Sequence, residues 1–140
     1  NVNALIEAVT RLGSRNAIVQ ALIPAIYDEG DKRILLVDGE LLGVVGRVPS
    51  KGDIRSNVHV GGSAAPASLS AADEAIIETI APRLVADGLF FVGLDVIGGK
   101  LIEVNVTSPT LIQQMSRMTG ENLSTIVIDR LEDKTKAYGG

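Results

Sequence analysis

The sequence has no cysteine and only one histidine among its 140 residues. Without thiols there is no disulfide framework, no thiolate nucleophile and no zinc finger, a pattern compatible with a reducing, cytoplasmic setting. The lone His59 cannot be assembled with a serine and an acid into a nucleophilic triad, and it reads as an exposed loop residue. A basic surplus is missing too. Thirteen Lys and Arg stand against 17 Asp and Glu, a formal net charge of -4, whereas a nucleic-acid surface normally shows clustered basic residues. No apolar run approaches the roughly 20 residues that span a bilayer. Residues 1–12 also lack the basic start and continuous apolar middle of a signal peptide. These absences leave small molecules as the expected partners, with no nucleic acid and no membrane. At this length the chain reads as one compact unit, residues 1–140. A start at Asn1 rather than Met suggests a fragment.

What the sequence does contain is concentrated in residues 93–110, GLDVIGGKLIEVNVTSPT, where Asp95, Glu103 and Asn105 lie along an expected hairpin. Hard divalent cations take oxygen ligands, and magnesium bound with nucleotide phosphates commonly uses one or two carboxylates plus neutral oxygens. Alternation along a strand puts Glu103 and Asn105 on one face and Ile102, Val104 and Val106 on the other, which is expected to be core. For Asp95 to join them it must sit opposite Glu103. That predicts an odd-length loop, Gly98-Gly99-Lys100, with a glycine at positive φ; a two-residue Gly-Gly turn is expected to place Asp95 on the wrong face.

The rest of the chain supplies the frame. Residues 4–12 read as a short helix covering a sheet, and residues 17–23 as an apolar strand ended by Pro24. A strand from Arg33 turns at Asp38-Gly39 and returns antiparallel over residues 41–48. Residues 49–66, rich in glycine and proline, read as a long mobile loop of the kind that forms lids. A helix starts at Ser70, carries Ile76, Ile77, Ile80 and Leu84 as its buried stripe, is expected to kink at Pro82, and ends near Gly88. Residues 89–97 and 101–106 form the acidic hairpin. A last helix after Asn122 buries Leu123, Ile126, Val127 and Leu131. Helices interspersed with antiparallel hairpins make the fold class α+β.

Three stretches, GDKRILLVDGE (residues 30–40), GRVPSKGDIRSN (46–57) and FVGLDVIGGKLIEVNVTSPT (91–110), closely resemble the C-terminal half of the bacterial glutathione synthetase family, within the ATP-grasp superfamily. The resemblance implies the C-terminal part of an ATP-grasp fold, an antiparallel sheet with packed helices. It also implies an enzyme that joins γ-glutamylcysteine to glycine with ATP through an acyl phosphate. Magnesium, with manganese as its alternative, would be held by Asp95, Glu103 and Asn105. The same resemblance sets Gln20, Ala21, Leu22 and Ile23 beside the adenine and Asp31 on the ribose side. Arg33, Arg47 and Arg55 would surround the phosphates and the reacting carboxyl. Asn57 would lie in the lid and, with Ser108, Pro109 and Thr110, contact substrate. The full-length family member would be a homo-oligomer. Nothing in the chain matches the family's preceding lobe or its N-terminal substrate domain, so the chain alone is expected not to turn over. A noncatalytic binding module is the competing class. Within the ligases, RSNVHVGGSA (residues 55–64) also looks like the related ribosomal-protein glutamate ligases.

The residues themselves ask for the same kind of site. Phosphoryl transfer depends on positioning and charge stabilisation, which planar arginine forks and an oxygen-held cation supply. One point is unresolved by pattern alone. A two-residue turn at Asp38-Gly39 would put Arg33 and Arg47 on opposite faces, so either a three-residue turn or irregular step lies between Leu41 and Gly46, or one arginine is structural.

Overall fold

The computed structural model describes residues 1–48 and 63–138. Two antiparallel hairpins dominate it. Strands β1 (Asp31–Val37) and β2 (Glu40–Val48) form the first, and β4 (Phe91–Ile97) and β5 (Lys100–Asn105) the second. β1 also pairs antiparallel with β4, and the short β3 (Ser63–Pro66) adds to β2, giving a five-stranded sheet in the order β3-β2-β1-β4-β5. Four α-helices accompany it among the described residues, α1 (Val2–Thr10), α2 (Ala71–Ala86), α3 (Ile112–Thr119) and α4 (Leu123–Tyr138). The expected α+β class holds. Part of the expected loop, Ser63–Pro66, is instead a strand; residues 49–62 of it lie outside the described residues.

The two faces of the sheet are segregated by parity. On one, Ile34, Leu36, Val92, Leu94 and Val96 are buried beneath α2, whose Leu84 is buried and whose Ile76, Ile77 and Ile80 pack against the same cluster. On the other, Leu35 and Val45 are buried with Leu111, Met115 and Leu123, so α3 and α4 cover that face at one end. The remainder of this second face carries charge. Each hairpin turns on two residues with positive φ, Asp38-Gly39 and Gly98-Gly99, the geometry whose twist matches paired strands.

α2 begins at a capping box. Ser70 accepts from the Asp73 backbone N–H, and the Asp73 carboxylate accepts from the Ser70 backbone N–H. The helix continues through Pro82. Lys32, on the α2 face of β1, donates to the same carboxylate at 2.6 Å, which ties the helix start to the sheet. At the far end α4 clamps the first turn: Arg130 reaches the Val37 carbonyl at 3.3 Å and Glu40 at 2.9 Å, and Lys134 pairs with Asp38 and sits 5.7 Å from the centre of the Phe90 ring.

Four expectations need correction. Residues 17–23 form no strand, and Ile18 and Val19 are each 89% exposed. An apolar run becomes a strand only when another strand takes up its backbone donors and acceptors, and none among the described residues does. α1 buries no residue, so its apolar stripe covers no sheet here. In α4, Leu123 is buried but Leu131 is exposed. α3 was not foreseen, although Leu111, Met115 and Met118 carry helical spacing.

Asp73 is the fold's most testable single group. Burial alone raises its pKa, but the Lys32 ammonium together with the Ser70 N–H and hydroxyl lower it further, leaving the carboxyl below its ordinary value. A carboxyl depressed in the folded state stabilises the fold above its unfolded pKa of about 3.9, and that contribution disappears as pH falls through the folded value. Asp73→Asn is expected to cost about 1–3 kcal/mol at pH 7 and to flatten stability loss below about pH 4. Urea unfolding of both proteins at neutral and acid pH checks it; an identical acid limb would contradict the assignment.

Candidate functional site

The charged end of the second face depends on register. From the Asp38-Gly39 turn the pairing runs Val37↔Glu40, Leu36↔Leu41, then Leu35↔Gly43, so Leu42 is an extra residue on β2. Beyond this bulge Arg33 pairs with Val45 and Asp31 with Arg47, which returns both arginines to one face. The irregular step expected between Leu41 and Gly46 is therefore present, and it is a bulge. The second hairpin repeats the device. Its pairing runs Ile97↔Lys100, Val96↔Leu101, then Asp95↔Glu103, leaving Ile102 as the extra residue. The expected three-residue loop is wrong, yet its purpose is met: Asp95 stands opposite Glu103, and Gly93 opposite Asn105. A bulge changes parity as an extra loop residue would, because two residues on one strand oppose one on the other.

The opposite side of β5 is also not as expected. Val104 and Val106 are 36% and 45% exposed, not core, since β5 is an edge strand, and Ile102 is displaced by the bulge.

Asp95, Glu103, Asn105, Asp31, Arg33 and Arg47 line one open cavity of about 810 Å³ together with Gln20, Ala21, Leu22, Ile23, Ser108 and Thr110. These are most of the residues singled out from sequence. Pro109 is buried beneath the surface of this turn rather than lining the cavity, its Cβ lying 2.9 Å from where a Cβ on residue 93 would stand. Arg55 and Asn57 lie outside the described residues. Sequence reasoning missed the apolar part of the wall, Ile26, Ile97, Leu101 and Ile102. Ile97 was accessible to alternation, two residues beyond Asp95, whereas the adjacent pair Leu101 and Ile102 share a wall only because of the bulge.

Within the cavity four buried charges contact one another. The Arg33 guanidinium holds Asp95 by two bonds, Nε to Oδ1 and Nη2 to Oδ2, the latter at 2.9 Å; its Nη1 donates to the Thr110 hydroxyl at 3.4 Å. Arg47 holds Asp31 by Nε at 2.9 Å and by Nη2, and that same Nη2 lies 2.8 Å from Asp95 Oδ2. Burial raises the Asp95 pKa, but the Arg33 hydrogen bonds and the Arg47 charge lower it further, so the carboxyl is held below its usual range. Burial lowers the Arg47 pKa, and its bonds to Asp31 and Asp95 raise it above the ordinary arginine value.

Glu103 and Asn105 extend the array toward the edge. Among the described residues no three His, Cys, Asp or Glu side chains gather as a metal cluster. Two acids and one amide do share the face, however, and this donor set fits a hard divalent cation that keeps water and phosphate as its other ligands. The Asn105 amide nitrogen is buried without a hydrogen-bond partner, so no bond within the described residues fixes that end of the amide.

Comparison with known proteins places the chain in a family. The family model described as prokaryotic glutathione synthetase, ATP-grasp domain, matches residues 1–120. The chain is 47% identical over 132 residues to the glutathione synthetase of Synechocystis sp., covering 94% of this chain and 41% of that protein. With the glutathione synthetase of Ralstonia nicotianae it shares 46% identity over 142 residues, covering 100% of this chain and 44% of the relative. The chain thus spans less than half the length of these relatives. Among solved structures it is similar to D-alanine–D-alanine ligase from Bacillus anthracis complexed with ATP, with a TM-score of 0.56, 16% identity, and coverage of 96% of this chain and 49% of that one. That likeness is one of fold.

Gly93 tests how tightly the site is packed. A Cβ there would lie 2.9 Å from Pro109 Cβ and 3.2 Å from Arg33 Cδ, so both the turn and the arginine stem occupy space only glycine leaves. Gly93→Ala is expected to cost about 1–3 kcal/mol in denaturant unfolding; a neutral substitution would mean that the turn does not rest on the sheet.

Proposed function

The chain belongs to the ATP-grasp domain family of prokaryotic glutathione synthetases, and from that premise we propose that it supplies the cation- and phosphate-binding part of an ATP-dependent ligase joining γ-glutamylcysteine to glycine. The observation that carries this reading is the convergence of Asp95, Glu103 and Asn105 with Arg33 and Arg47 in one cavity. Curated relatives bearing that enzyme name align with nearly the whole chain.

In this reading Asp95, Glu103 and Asn105 hold magnesium, with manganese as its alternative. A bound divalent cation offsets negative charge on the phosphate oxygens during displacement. Arg33 and Arg47, with Arg55 from the segment outside the described residues, place planar N–H forks around the phosphates and the reacting carboxylate. Residues 20–23 present backbone groups to the adenine, where side-chain identity matters little, and Asp31 stands on the ribose side. Asn57, Ser108, Pro109 and Thr110 form the substrate side. No general base is required of this chain, because an acyl phosphate gives the attacking glycine amine a good leaving group. Catalysis then rests on orientation and on charge stabilisation by the buried Arg33 and Arg47 guanidinium groups. A homo-oligomeric, cytoplasmic full-length protein belongs to the same reading.

The test is ADP release by a full-length protein carrying this chain. Release dependent on both γ-glutamylcysteine and glycine is expected. Glu103→Gln is expected to lower kcat about a hundredfold or more while leaving the folded state intact by circular dichroism. Asp95→Asn is expected to lower kcat as much and also to destabilise the fold, because it takes from the buried Arg33 and Arg47 the carboxylate they share. Activity with glutamate in place of glycine would assign the chain to the glutamate ligases instead. Binding of magnesium–ATP undiminished by Asp95→Asn would remove the cation from this site.

A further inference from the structure

Asp31, Arg47, Asp95 and Arg33 alternate in charge and sum to zero. All four are buried, with exposures between 5% and 7%. Asp95 is the shared member. It is engaged by Arg33 Nε and Nη2 and by Arg47 Nη2, three contacts against the roughly four lone-pair directions a carboxylate offers. Arg47 cannot drift away, because Asp31 grips it from the other side through Nε and Nη2. Arg33 is likewise confined, its stem lying over Gly93 and its Nη1 directed to Thr110.

Most of the Asp95 lone pairs a cation would need are therefore engaged by guanidinium groups, and two positive charges stand where a third would have to enter. We infer that Arg33 and Arg47 compete with the divalent cation for Asp95, so that the cation alone is excluded and enters only with a polyphosphate whose oxygens draw the arginine forks away. This rests on the proposed cation role of Asp95 and adds an order to it. Cation and nucleotide binding become coupled through partner exchange, and by linkage each strengthens the other. Asp31 is then a positioning residue: it retains Arg47 at the site in both arrangements.

The competition gives opposite signs to two measurements. Manganese binding without nucleotide, followed in a full-length protein carrying this chain by the electron paramagnetic resonance signal of free Mn²⁺, is expected to be weak. Arg33→Gln and Arg47→Gln are each expected to tighten it about tenfold or more, and adding Asp95→Asn to either is expected to abolish that gain. Magnesium–ATP binding by the same variants in a full-length protein is expected to weaken. Arg33→Lys, which keeps the charge but loses the fork, covers failure of the glutamine variant to fold and is expected to show an intermediate gain. Folded arginine variants whose Mn²⁺ affinity is unchanged or weaker overturn the competition. They would do so while Asp95-dependent magnesium–ATP binding stands, which separates this failure from failure of the proposed cation site.

Discussion

Everything distinctive about this molecule depends on an extra residue placed in each of two hairpins. A two-residue turn joined to regular pairing would send Arg47 to the face away from Arg33, and Glu103 to the face away from Asp95. Leu42 and Ile102 each absorb one position, and that single step restores parity beyond it. The tight turns can be kept because the bulges correct them. Gly98 and Gly99 take the positive φ such a turn requires at no steric cost.

With parity set, the sheet divides its labour. One face is largely apolar and takes α2, with the Lys32–Asp73 pair at the helix start. The other changes character along its length, from Leu35 and Val45 under α3 and α4 to the charges lining the cavity. Burying four charges is costly unless each is paired, and removing one partner from such a set is far more damaging than the net worth of the set suggests. The alternating row of Asp31, Arg47, Asp95 and Arg33 meets that condition, so the same contacts that keep this face folded also engage the carboxylate proposed to hold the cation. Stability of the fold and the proposed readiness for anions are two aspects of one network.

Much of this was legible from local pattern. Alternation placed Glu103 and Asn105 together, Ser70 and Asp73 announced the start of α2, and the conflict between Arg33 and Arg47 left either an irregular step or a structural arginine, of which the bulge at Leu42 is the first. The bulges themselves left no compositional mark, since an extra leucine or isoleucine in an apolar strand looks like any other. For Ile102 this cost the loop length and the expectation that its face would be core. Residues 17–23 and α1 failed for a different reason: hydrophobic spacing says that a face wants cover, not which segment provides it, and no described residue does. The engagement of Asp95 by two arginines was equally hidden, because it depends on packing between residues far apart in sequence, 62 positions for Arg33.

The most direct test is a crystal structure of a full-length protein carrying this chain with magnesium and a nonhydrolysable ATP analogue. The account predicts oxygens of Asp95, Glu103 and Asn105 around one cation, with magnesium–oxygen distances of about 2.0–2.1 Å for the direct ligands, and the Arg33 and Arg47 guanidinium groups turned from Asp95 to the phosphates. A cation held elsewhere, with Asp95 still gripped by both arginines, would contradict it.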